Sequence, residues 1–233
     1  MKIHLSDLAR YQIQSKETLG FKVTGCWFDT TSWMVRYLRV EKDGGRFLLP
    51  TALLGRMAGN QEVLSLSQAA GNLKDLPKFQ GDSLTREMER SLLQSLHLPC
   101  YWEGDEEFSH RNYTSMIQSS EASIQDEGVE IRDNDHFHLV CSDQFLRSHV
   151  LGTNGAIGEV TDLVLRMESW EVSCFLVEMK DSSKRIILID PEWIDRWLPR
   201  RNEIQIDMPK EILLLEAVFD PRKEGDKRYE IDV

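Results

Sequence analysis

Two stretches of the chain alternate apolar and polar residues at period two, the pattern of a half-buried strand. In Trp170–Glu178, the residues Trp170, Val172, Cys174 and Leu176 share one face, while Phe175 and Val177 occupy the other. The strand is therefore expected to be buried on both sides or bent by a bulge. Trp33–Val40 repeats the pattern earlier in the chain. Turn residues follow each stretch, Asp43-Gly44-Gly45 in the first and Lys180-Asp181-Ser182-Ser183 in the second. Return strands are predicted over Arg46–Leu49 and Arg185–Ile189. Thr153-Asn154-Gly155 is a tight-turn signal because Asn and Gly both tolerate positive φ. Pro191–Trp197 is predicted as a helical turn with proline at its first position. Trp193 and Trp197, four residues apart, would then share a face and serve as partner contacts. A different period governs Leu84, Met88, Leu92 and Leu96, which with Leu93 mark one amphipathic helix capped by Ser83.

The two alternating stretches belong to an internal repeat. Val23–Glu41 aligns with Val160–Glu178 at a shift of 137 without a gap, and seven of 19 positions are identical. They include Ser32-Trp33 against Ser169-Trp170. Phe47-Leu48-Leu49 continues as Ile187-Leu188-Ile189, and Val63-Leu64-Ser65-Leu66 as Ile204-Gln205-Ile206-Asp207. Pro77-Lys78-Phe79 falls near Ala217-Val218-Phe219. So nearly constant a shift over so long a stretch indicates a duplicated unit. Short strands at regular spacing indicate a small barrel or sandwich in each copy, and closure into a barrel would remove the exposed edges. The fold expected is mainly β: two small barrels in tandem, joined by an amphipathic helix. The division drawn is 1–82 for the first unit, 83–142 for the helix and an acidic connection, and 143–233 for the second.

Composition narrows the function classes. The formal charge of −11 disfavours direct binding to nucleic acid, which draws on clustered Lys and Arg. It leaves contact with a protein partner open, and homo-oligomers as well. No apolar run approaches the roughly 20 residues of a membrane-spanning helix. The first seven residues, Met1–Asp7, lack the apolar core of a signal peptide, so a cytoplasmic location is expected. Cys26, Cys100, Cys141 and Cys174 are widely separated and read as buried or half-buried free thiols, not a zinc site.

Candidate chemistry is sparse. His136 and His138 would share one strand face and form the one metal-like cluster, but Asp133 and Asp135 would fall on the opposite face. Surface histidines are the simpler reading. The glycines at 152, 155 and 158 lack the spacing of a phosphate loop. Asp105-Glu106-Glu107 lacks the alternating ligands of a calcium loop. No Gly-x-Ser-x-Gly motif or catalytic cysteine context is present. Matching positions in both copies favour packing roles for Trp33 and Trp170.

Leu19-Gly20-Phe21-Lys22-Val23, then Phe28-Asp29, then Ser32–Val40 resemble the opening of a PRC-barrel domain. Gly155–Val160, Trp170–Val177 and Pro191-Glu192-Trp193-Ile194 resemble it again. Copy two departs at Ser173-Cys174-Phe175, where the family favours Arg-Tyr-Leu, and at Arg166, where copy one has Asp29. The resemblance extends to bacterial proteins carrying two such domains. Related domains form the cytoplasmic part of the reaction-centre H subunit in purple bacteria and the C-terminus of RimM-type ribosome-maturation factors. It implies a non-enzymatic binding or scaffold module with no cofactor and a protein partner of unknown identity. Alternatives are an accessory factor in ribosome maturation acting through a protein partner, and a metal-dependent enzyme using the His136/His138 region.

Overall fold

The alternating stretches form the central hairpins of two sheets. A computed structural model describes residues 1–14, 19–55, 62–67, 76–81, 83–102, 139–180, 185–213 and 218–219. In the first part of the chain lie β1 (Lys2–His4), α1 (Leu5–Leu8), β2 (Gln12–Gln14), β3 (Leu19–Asp29), β4 (Val35–Lys42), β5 (Gly45–Pro50), β6 (Val63–Ser65) and α2 (Arg86–Ser95). The second part holds β7 (Leu139–Cys141), α3 (Ser142–Phe145), β8 (His149–Gly152), β9 (Gly155–Arg166), β10 (Glu171–Met179) and β11 (Ile186–Ile189). It ends with β12 (Ile194–Leu198), β13 (Glu203–Ile206), α4 (Lys210–Leu213) and β14 (Val218–Phe219). The protein is mainly β. Among the described residues no helix is long and apolar enough to cross a membrane.

One sheet has the order β5-β4-β3-β2-β6, the other β12-β13-β8-β9-β10-β11-β14. Among the described strands, each order runs from end to end without returning on itself. Both long antiparallel hairpins carry bulges, and in the β9–β10 ladder the register shifts between Val172 and Cys174 and between Leu176 and Val177. Its Phe175, Leu176 and Val177 are all buried, so the bend and two-sided burial occur together. The Asp43-Gly44 turn takes positive φ at both residues. At Asn154-Gly155 only Gly155 does. Asn154 uses its side chain instead, accepting from the Lys210 amide at 2.9 Å and donating to Glu211.

The two sheets exchange strands. β1 pairs with β9 of the later repeat, Lys2↔Arg166, Ile3↔Leu165 and His4↔Val164. β7 pairs with β3 of the earlier repeat, Leu139↔Asp29, Val140↔Phe28 and Cys141↔Trp27. Every one of these pairs maps onto its counterpart when 137 is added or subtracted, so the exchange is reciprocal and in the same register. Strand pairing thus crosses the division at residues 82 and 142. The crossing point is equally symmetric. Val35 N–H donates to the Trp170 carbonyl at 2.7 Å, and Val172 N–H to the Trp33 carbonyl at 2.8 Å. Met34 and Glu171 form an antiparallel bridge between the donors. Trp33 and Trp170 adopt φ of 56° and 57°. A bulky residue in that region costs about 1–3 kcal/mol, and the carbonyl it aims at the other repeat offsets this.

One apolar core runs through both sheets. At its centre Phe145 on α3 meets Phe28 at 5.3 Å and Trp33 at 6.0 Å from one sheet. From the other it meets Phe175 at 5.6 Å and Trp197 at 6.1 Å. Each well-placed aromatic pair adds about 0.5–1.5 kcal/mol beyond burial.

Three expectations need correction. The helix begins later than expected, because Thr85, not Ser83, caps it by accepting from the Met88 amide at 3.3 Å. Its inner face is Glu89, Leu92 and Leu93, with Met88 exposed, because hydrogen bonds draw Glu89 inward. Pro191–Trp193 is a single 3-10 turn capped by Asp190, and Ile194–Leu198 is a strand. Trp193 and Trp197 are therefore not successive positions on one helix face. Finally, Leu64 and not Val63 is equivalent to Ile204, since Leu64 pairs with Ile13 as Ile204 pairs with Val150. Leu64 and Ile204 are buried, and their neighbours Val63 and Gln205 are half-exposed. At period two a slip of one would invert both faces.

Candidate binding surface

One rim of the second sheet is open. In the first sheet the chain after Pro50 makes a 3-10 turn, and Leu54, buried, forms a lone bridge with Leu66. The equivalent residues Ile194 and Ile206 open a full ladder in the second sheet, where β12 pairs with β13 through Leu198↔Glu203. β12 ends the strand order, and among the described strands its other side carries no partner. An open edge presents unpaired backbone donors and acceptors to whatever lies beside it.

Charge and apolar surface converge on this edge. A groove of about 540 Å3 is lined by Arg196, Leu198, Pro199, Arg200, Arg201 and Gln205. Arg196, Arg200 and Arg201 are exposed, and Arg196 stands 3.8 Å from the exposed Asp195 carboxylate. Asn202, at φ 54°, ends the Pro199–Arg201 turn. It is held by Ser148 Oγ, which donates to Asn202 Oδ1 at 3.0 Å, and by its own amide donating to the Arg147 carbonyl at 2.9 Å. The turn that presents the two arginines is therefore fixed to the fold.

The sequence-predicted contacts fall around this rim without joining it. Trp193 is half-buried against the core. Trp197 lies on β12 with its ring near Phe145, and its indole N–H is buried with no hydrogen-bond partner among the described residues. The structure does not place the two on a common exposed face. His136 and His138 lie outside the described residues. Among the described residues no three His, Cys, Asp or Glu side chains are grouped to hold a metal ion. All four cysteines are free thiols. Burial pushes the Cys26 thiol well up, and the Cys174 thiol up to about 11, so both stay protonated and weakly nucleophilic near neutral pH.

A buried polar cluster, which no sequence motif marked, lies under α2. Tyr37 Oη donates to Glu89 Oε1 at 2.7 Å, and Arg86 approaches Glu89 Oε2 at 3.6 Å. Burial raises the Glu89 carboxyl above its usual range despite the hydrogen bonds from Tyr37 and Tyr101 and the nearby Arg86 and Arg36. Arg36 stacks 4.0 Å from the Tyr101 ring and Arg86 4.3 Å from the Trp102 ring. Glu89 is fully enclosed, so the cluster fastens the helix to the sheet and offers no surface to a ligand. The one sequence signal was Glu89 itself, a charge on the helix face beside Leu92 and Leu93. A groove of about 380 Å3 runs along the outer side of α2 between Phe79, Leu84 and Met88.

These features define a duplicated, strand-exchanged, mainly β protein with a basic rim on its second sheet. In comparisons with known proteins, the chain matches no family model and no curated protein sequence.

Proposed function

We propose that this chain is a non-enzymatic protein-binding module of the tandem PRC-barrel kind, and that the β12 rim of the second sheet is its binding surface. The observation that carries the reading is the combination at that rim of an open strand edge, an apolar groove and three exposed arginines on a chain of net charge −11. An extended acidic segment suits it best. Main-chain hydrogen bonds to β12 would supply affinity, and carboxylates meeting Arg196, Arg200 and Arg201 would supply orientation. The resemblance of Trp33–Val40 and of Pro191–Ile194 to PRC-barrel segments supports the same class of function.

The test uses a set of extended peptides with identical apolar positions and acidic, neutral or basic residues between them. Acidic peptides should bind at low salt and weaken as salt rises. The triple variant R196E/R200E/R201E should lose that binding while keeping its unfolding midpoint. Equal binding of all three peptide classes, or retention of acidic-peptide binding by the triple variant, would overturn the reading.

A further inference from the structure

Each exchanged arm, β1–α1 in one repeat and β7–α3 in the other, is gripped by a polar cluster at the same place in the fold. The two clusters have different chemistry. In the second sheet, Asp162 on β9 takes the arm β1–α1. Its Oδ2 accepts from Ser6 Oγ at 2.5 Å and lies 3.3 Å from His4 Nδ1. Its Oδ1 accepts from the amides of Ser6 at 3.2 Å and Leu163 at 2.8 Å. Its side chain and that of His4 are 14% and 11% exposed, so these bonds are largely shielded from water.

Subtracting 137 from Asp162 gives Gly25, and adding 137 to Ser6 gives Asp143. In the first sheet Gly25 leaves open the space that Asp162 fills, and Arg39 from β4 occupies it. A Cβ at Gly25 would stand 2.9 Å from Arg39 Nη2 and 3.0 Å from Ser142 Oγ. Arg39 Nη1 donates to Asp143 Oδ2 at 2.7 Å and Nη2 to Asp143 Oδ1 at 3.2 Å, a bidentate grip on the arm β7–α3. Arg39 Nη2 also donates to the Thr24 carbonyl at 2.6 Å, and Nε to Thr24 Oγ1 at 3.1 Å, which aims the guanidinium. The position equivalent to Arg39 in the second sheet is Leu176.

We propose that these two clusters are a pairing code. They direct the arm of each repeat onto the sheet of the other and discriminate against pairing of like with like. The mismatches are explicit. If the first sheet received the arm of its own kind, Arg39 would meet Ser6 and His4 and lose its carboxylate. If the second sheet received its own kind, Asp162 would meet the Asp143 carboxylate in place of the Ser6 hydroxyl. Two carboxylates would then share a half-closed site. Specificity arises from the repulsive pairing as much as from the attractive one. The partner each sheet fits is thus the other repeat, recognised by the charge at the position two residues beyond its exchanged strand.

The experiment uses the full chain with a protease site inserted after Ser119, cut once purified. The cut protein should remain one particle containing one fragment of each kind. After unfolding in urea and refolding, native mass spectrometry should find mixed pairs exceeding like pairs by about tenfold, the scale of one or two well-placed charges. The double variant S6D/D143S exchanges the code between the arms. It should reverse the preference, because a carboxylate at position 6 suits Arg39 in a like pair and clashes with Asp162 in a mixed one. Should that variant fail to refold, R39D supplies the second test. It sets a carboxylate against Asp143 in a mixed pair, so it should lose the preference for mixed pairs. Three results would overturn the proposal: a statistical mixture from the unmodified cut protein, an unchanged preference in S6D/D143S, or an unchanged preference in R39D.

Discussion

The two ends of the strand exchange have one geometry and two chemistries. At both, a three-residue strand pairs with the far end of a long bent strand, and a one-turn helix follows into the core. At one, a buried aromatic arrives, Phe145. At the other the equivalent residue is Leu8, equally buried but smaller. Beside the first exchange, Asp29 and Arg36 form a 3.7 Å ion pair with side chains 14% and 4% exposed. Beside the second, the position of Asp29 is taken by the exposed Arg166, which pairs at 2.6 Å with the half-exposed Glu171. A duplicated backbone has thus kept its hydrogen-bond plan while the side chains that secure it diverged. Backbone pairing tolerates any residue that fits the pleat, whereas a buried charge tolerates only its partner.

The largest effect expected from this contrast is at Phe145. Phe145→Ala should destabilise the protein by about 3–5 kcal/mol in urea unfolding, since it empties the centre of a cluster drawn from both sheets. Leu8→Ala should cost less, and an equal loss at the two sites would show that the aromatic contacts add nothing beyond volume. Next comes Asp29→Ala, which leaves Arg36 enclosed without this carboxylate and should cost about 3 kcal/mol.

Smaller effects separate the two enclosed carboxyls by pH. Burial acts to raise the Asp162 carboxyl, but the hydrogen bonds from His4, Ser6 and Leu163 outweigh it and hold it below the usual carboxylate range. Its contribution is therefore present above an unfolded value near 3.8 and lost as pH falls through the folded one. Asp162→Asn should cost about 1–3 kcal/mol at neutral pH, and less as the medium is acidified. Glu89 has the opposite sign. Its raised carboxyl favours the fold fully below an unfolded value near 4.5, and that contribution is lost as pH rises through the folded one. Glu89→Gln should remove this dependence and flatten the stability profile above pH 5. Equal slopes for the two variants against pH would contradict the assignment. The smallest effect is at Arg166, whose exposed pair should be worth less than about 1 kcal/mol, so Arg166→Ala should unfold close to the unmodified midpoint.

Much of this was legible beforehand, because period-two patterning, Gly-containing turns and the 137-residue shift are local or nearly local signals. Ser32-Trp33 and Ser169-Trp170 marked equivalent positions. Their left-handed backbone and crossed hydrogen bonds did not show, since no local rule predicts a bulky residue at positive φ. The basic rim was hidden for another reason. Arg196, Arg200 and Arg201 are a few scattered charges on an acidic chain, and they form a basic groove only because β12 lies at the end of a sheet. The Glu89 cluster was equally hidden, because Tyr37 and Tyr101 reach it from distant segments.

The amino-acid sequence by itself determined that the chain is a duplicated β unit, where its two central hairpins and their turns lie, and that a helix with an apolar face separates the copies. These follow from spacing along the chain, which a sequence carries directly. Only the tertiary structure decided that β1 and β7 belong to each other's sheets, that Glu89 faces inward and Met88 outward, and that Asp162 and Arg39 stand at equivalent places. Those outcomes depend on which distant backbone groups find one another and which charges are enclosed together. The free energy of such pairings belongs to the assembled fold, and no local window of the sequence contains it.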